Sequence, residues 1–129
     1  MKLILGKVDI SSLKKAFNQL QQAVKLAKSE LERAGAIQCF EYSYELAWKA
    51  LRNTLVALGK EALNNPRSVF RDAAANHLIH NPETWFTFIE FRNKTVHTYD
   101  ESVAREIFGM LPKFCSEVDD MIKRLEDLQ

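Results

Sequence analysis

Apolar residues recur at three- and four-residue steps along almost the whole chain, a period that only helices packed on helices can satisfy. Leu13, Phe17, Leu20, Val24, Ala27 and Leu31 predict a first helix from roughly Ser12 to Ala34, punctuated by Gly35. Phe40, Tyr44, Ala47, Leu51, Leu55 and Leu58 share one face of a second, from about Ile37 to Leu58, with Gly59 as its stop. Asn65-Pro66 opens a short third helix to about Asn76. Asn81-Pro82-Glu83 opens a fourth, with Asn as N-cap, Pro at the first helical position and Glu in the first turn. Asp100-Glu101-Ser102 caps a fifth, with Val103, Ile107, Met110, Leu111, Phe114, Val118, Met121, Ile122 and Leu125 inward; Pro112 is expected to kink it or split it near Gly109. No segment reads as a strand. The expectation is all-α: an up-and-down bundle of four long helices and one short one, a single domain over residues 1–129.

The fourth helix places a cation on an apolar stripe. At about 100° per residue, Trp85, Phe88, Ile89 and Val96 fall within one arc, and Arg92 and Tyr99 land inside it. Asn93 and His97, four residues apart, sit side by side on its flank. A buried guanidinium must be paired with a carboxylate or meet an anionic ligand, since an unpaired buried charge costs several kcal/mol. Periodicity leaves both readings open. On the second helix Glu41, Glu45, Trp48 and Arg52 cluster at one edge of the apolar face. Glu41 and Glu45 repel at this spacing, which a cation such as Arg92 or Arg71 relieves; the competing reading is a solvated edge with a Glu45–Lys49 pair. Glu45 is expected to support the site and not to react.

Other classes find little support. With a net charge of +1, the chain is not a general electrostatic binder of nucleic acid, so any RNA contact is local and no DNA binding is expected. No run approaches the length of a membrane span, and Met1-Lys2-Leu3-Ile4-Leu5 is too short an apolar run for a signal peptide. Cys39 and Cys115 read as buried thiols in a reducing cytoplasm. The glycines stand alone, so there is no phosphate loop. His77 and His80 lack a fixed third ligand, and no metal or other cofactor is expected. Phe86 and Phe91 lie off the inward stripe of the fourth helix and suggest a dimer face beside His97.

The order Phe40-Glu41-x-x-x-Glu45-x-x-Trp48-Lys49, then Pro66-Arg67-x-Val69-x-Arg71-x-Ala73, then Trp85, then Arg92-Asn93-x-x-x-His97-Thr98-Tyr99 resembles the HEPN superfamily. More narrowly, it is similar to the nucleotidyltransferase substrate-binding proteins, the partners of minimal nucleotidyltransferases. The likeness is detailed from about Ile37 to Ile107 and architectural over the whole chain. It implies a homodimer that brings two Arg/His motifs together across its interface, associated with a nucleotidyltransferase that carries the metal-binding carboxylates. It also implies the function of such a partner subunit: a cytoplasmic phosphate-binding dimer in a two-component or toxin–antitoxin system, holding a nucleotide or an RNA phosphate.

Two alternatives accompany this reading. In one, Arg92 and His97 are the catalytic residues of a metal-independent endoribonuclease, silenced by adenylylation of Tyr99. His97 takes the proton of a ribose 2′-hydroxyl, and Arg92 offers its donor fork to the phosphate as charge builds on it. Asn93 orients His97 or donates to a phosphate oxygen, Lys94 adds local positive charge, and the products are a 2′,3′-cyclic phosphate and a 5′-hydroxyl. In the other, the cluster is a dimer staple in a purely structural subunit. On a regular helix Arg92 and His97 point about 140° apart, which favours a site composed from two copies.

Overall fold

The computed structural model describes residues 8–128 as five α-helices without strands. They are α1 (Ser11–Leu26), α2 (Glu30–Ala57), α3 (Pro66–Ala75), α4 (Pro82–Lys94) and α5 (Glu101–Glu126). The Met1–Leu5 stretch lies outside the described residues. The fold is the expected all-α bundle. α1 packs on α2 and α5, α3 on α2 and α4, and α4 also reaches α5.

The first helix boundary differs from the sequence expectation. α1 stops at Leu26 and α2 begins at Glu30, running straight through Gly35. A reciprocal cap dictates the break: Glu32 N–H donates to Ser29 Oγ (3.1 Å), while the Glu32 carboxylate accepts from Lys28 N–H (2.9 Å). The Lys28 N–H, followed by the Ser29 hydroxyl, holds the Glu32 carboxyl below its usual range. The cap rotates the register of the helix it starts, so Leu31, expected inward, is 84% exposed. Asn65, Asn81 and Asp100 cap α3, α4 and α5 as expected, each accepting from a backbone N–H of the first turn. Pro112 lies inside a continuous α5 and does not split it.

Two helices end in the same way with different residues. After α2, Gly59 takes φ +82°, with Gly59 N–H bonded to Val56 O and Lys60 N–H to Leu55 O. After α3, His77 takes φ 62°, with His77 N–H bonded to Ala74 O and Leu78 N–H to Ala73 O. A side chain in this left-handed region costs about 1 kcal/mol that glycine avoids. Open space surrounds a Cβ built at Gly59, so the cost there is conformational alone. Thermal melts are expected to show Gly59→Ala destabilised and His77→Gly stabilised, each by about 1 kcal/mol.

The core is aromatic. Phe114 of α5 stands edge-on to Phe40 of α2 (4.8 Å between centroids) and to Phe88 of α4 (5.0 Å), and Trp85 touches Phe70, Phe88 and Phe114. Trp85, Phe40, Phe70, Phe88 and Phe114 are fully buried. This cluster ties α2, α3, α4 and α5 at one level and fixes the face of α4 that turns towards α2. Cys39 and Cys115 are free and only half-buried, which corrects the expectation of buried thiols. Burial still pushes Cys115 up to about 11, leaving little reactive thiolate at neutral pH.

Candidate functional site

α4 is shorter than its sequence period suggests. The α-helix ends at Lys94, and Thr95–His97 wind on as a single tighter 3-10 turn. Trp85 and Phe88 are buried on the expected face, but Val96 (68% exposed) and Tyr99 (84% exposed) leave it. Thr95 accounts for the change. It is buried, its hydroxyl donates to the Arg92 carbonyl (2.7 Å), and the same oxygen accepts from Arg92 Nη1 (3.0 Å). Periodicity gives no weight to Thr95; an Arg followed three residues later by Thr at a helix end was the available signal.

Arg92 is half-buried and faces α2. Its Nε lies 3.7 Å from Glu45 Oε1, and its Nη1 lies 3.9 Å from Glu41 Oε2. The cation expected to relieve the Glu41–Glu45 repulsion is therefore Arg92. Both separations exceed a hydrogen bond, and all three side chains are about a third exposed, so each pair contributes no more than about 1 kcal/mol. Arg92 Nε is shielded from solvent and makes no hydrogen bond among the described residues. Glu45 is held from behind by the Trp48 indole, whose N–H donates to Oε2 at 3.1 Å. One cation facing two carboxylates leaves this cluster with a formal charge of about −1.

His97 and Tyr99 form a second, separate pair. His97 Nδ1 is 3.2 Å from the Tyr99 hydroxyl, and the two exposed rings stand nearly perpendicular. Five steps separate Arg92 from His97, the last three in the tighter turn, so their Cα–Cβ directions differ by roughly 160° with about 9 Å of rise. A single chain thus presents Arg92 and His97 on different sides of the turn. Lys94 spends its charge on Glu106 of α5 (2.5 Å), and Asn93 is exposed and makes no side-chain hydrogen bond among the described residues. No three His, Cys, Asp or Glu side chains among the described residues converge as metal ligands.

A family model described as "Nucleotidyltransferase substrate binding protein like" matches residues 8–127. The chain belongs to that family, within the HEPN superfamily. A Haemophilus influenzae relative described as "Probable ribonuclease HepT" is 30% identical over 99 residues, covering 71% of this chain and 66% of the relative. A crystal structure from Thermus thermophilus superposes with a TM-score of 0.82 at 35% identity, covering 88% of this chain and 98% of that one. A second, from Haemophilus influenzae, is described as revealing the fold of a substrate binding domain of a nucleotidyltransferase. It superposes with a TM-score of 0.81 at 26% identity, covering 92% and 99% of the two chains. Among the described residues of this family member, no helix is long and apolar enough to cross a membrane.

Proposed function

We propose that this family member is the helical partner of a nucleotidyltransferase and that its own chemistry is metal-independent cleavage of single-stranded RNA. The observation that carries the reading is the state of His97: an exposed imidazole with Nδ1 set against a hydroxyl and Nε2 without a partner among the described residues. With the proton on Nδ1 donated to Tyr99 Oη, Nε2 keeps its lone pair for use as a general base. It takes the proton of a ribose 2′-hydroxyl, and the 2′-oxygen attacks the adjacent phosphorus. The bond to the 5′-oxygen breaks, leaving a 2′,3′-cyclic phosphate. The 5′-oxygen leaves with a proton from a second imidazole, which we assign to His97 of a second copy. Arg92 donates to the phosphate oxygens as negative charge accumulates. The wide angular separation of Arg92 and His97 within one chain supports a site shared across a homodimer. The relative described as a probable ribonuclease supports the same verb.

Tyr99 links this chemistry to the partner. Adenylylation of its hydroxyl removes the phenolic proton and sets a bulky, anionic phosphodiester beside His97 Nδ1, 3.2 Å from the oxygen that would be modified. Such a group blocks the imidazole and stabilises its protonated form, which silences a general base. The exposure of Tyr99 leaves that oxygen open to a second enzyme.

A second reading has its own support: Arg92 and His97 hold a nucleotide or polymer phosphate while the nucleotidyltransferase performs the chemistry, and the Arg92 Nε, without a hydrogen-bond partner among the described residues, is the donor such a ligand would meet. One experiment separates them. Cleavage of a labelled single-stranded RNA is measured in excess EDTA, with protein whose Tyr99 is shown by intact mass to be unmodified. Cleavage that leaves a cyclic phosphate is the expected result. Intact RNA with dimeric, unmodified protein overturns the ribonuclease reading and leaves the chemistry to the partner.

A further inference from the structure

The charge balance at Arg92 calls for another cation. A guanidinium facing Glu41 and Glu45 at 3.9 and 3.7 Å cannot by itself make a surface attractive to a phosphodiester. Lys94, the nearest lysine in sequence, is engaged by Glu106. Arg67, on the first turn of α3, is different. It is exposed and makes no ion pair with a carboxylate among the described residues.

Arg67 is also held in place. Val69, Phe70 and Ala73 anchor the opposite face of α3 in the core, and the Arg67 guanidinium lies over the Phe86 ring of α4, 4.7 Å from its centroid. A guanidinium resting on an aromatic face keeps its outward N–H donors free and loses less side-chain freedom when it binds an anion. Phe86 precedes Arg92 by six residues on the same helix, about 9 Å of rise and 120° of turn, so Arg67 approaches from α3 on the face of α4 next to the one that carries Arg92. Both guanidiniums act on Tyr44 of α2. Burial and the neighbouring Glu45 push its phenol up to about 12, while the Arg92 and Arg67 guanidiniums both pull the other way. Arg92 from α4 and Arg67 from α3 thus both influence the same side chain of α2.

We propose that Arg67, braced on Phe86, is the second cation of the Arg92 site and takes a backbone phosphate of single-stranded RNA flanking the one at Arg92. The inference rests on the RNA reading given above. It assigns α3 a direct part in ligand binding, and it explains how a cluster of net negative charge can receive a polyanion: the strand is gripped at Arg67 and threaded past Glu41 and Glu45.

The test uses a short single-stranded oligoribonucleotide with 2′-O-methyl groups, which cannot be cleaved, titrated at several salt concentrations. Arg67→Ala is expected to weaken binding about tenfold and to flatten the slope of log affinity against log salt by about 0.7, the value of one released phosphate contact on a single strand. Arg67→Lys keeps the slope but binds more weakly than wild type, because an ammonium lacks the planar fork. Phe86→Ala weakens binding in part, and its thermal melt separates that loss from any change in folding. Lys123→Ala, which removes a cation paired with Asp119 near the end of α5, reports what loss of a general positive charge does. Equal binding and slope in wild type and Arg67→Ala, with Arg92→Ala impaired, overturns the role of Arg67 and leaves the RNA reading standing. Arg67→Ala matching Lys123→Ala also overturns it. A wild-type protein that does not bind the oligonucleotide overturns both.

Discussion

Replacing His97 by alanine is expected to lower RNA cleavage by about 10²–10⁴-fold, the usual contribution of a positioned general base. The thermal midpoint should not move. The imidazole is exposed and its described hydrogen bond is to another exposed side chain, Tyr99. The turn that carries it is closed by backbone: Asp100 N–H donates to His97 O at 3.0 Å, a bond alanine preserves. Single-turnover cleavage alongside a melting curve checks both halves of the expectation. A loss of cleavage accompanied by a large drop in melting temperature would mark His97 as structural and remove it from the mechanism. Arg92→Ala makes a useful contrast, because it strips Glu41 and Glu45 of their counter-charge and removes the Nη1 donor to Thr95 Oγ1, while the bond from that hydroxyl to the residue 92 carbonyl remains.

The largest effect on stability belongs to a residue far from any chemistry. Phe114→Ala should cost about 3–5 kcal/mol, because the ring fills the junction of three helices and its loss leaves a cavity that stiff aromatic neighbours close poorly. Against a typical net stability of about 5–15 kcal/mol, that is a large fraction. In a chain of this size the melting temperature should fall by on the order of 10 °C or more. Phe114 meets Phe40, Trp85 and Phe88, so α2, α4 and α5 all lose a contact at once. Denaturant melts at constant slope are the appropriate check. A shift under about 1 kcal/mol would mean that the core repacks around the gap.

Helix content and most caps were legible in the sequence because they depend on local chemistry. Asn65-Pro66, Asn81-Pro82 and Asp100-x-Ser102 each carry an acceptor where a free N–H needs one, and each starts a helix in the structure. The Ser29-x-x-Glu32 cap was equally local, but the uninterrupted apolar step from Val24 through Leu31 concealed it. The α4 boundary failed for another reason. Val96 and Tyr99 continue a 3.6-residue period by coincidence, and the helix ends where Thr95 bonds back to Arg92, a choice of tertiary burial that periodicity does not encode. At the candidate site, pairing of Arg92 with the α2 carboxylates was foreseeable from charge and spacing. The stacking of Arg67 on Phe86 was not, since it depends on how α3 leans against α4.

The hydrogen bond between the Trp48 indole and Glu45 also gives the protein an optical property. The chain has two tryptophans: Trp85 is sealed in the aromatic core, and Trp48 has its N–H on the carboxylate that faces Arg92. An indole's emission responds to charge placed near its nitrogen. An anion that draws Arg92 away from Glu45 therefore changes the emission of one tryptophan and leaves the other as an internal standard. Occupancy of the site can be followed in the native protein by its own fluorescence, without a label.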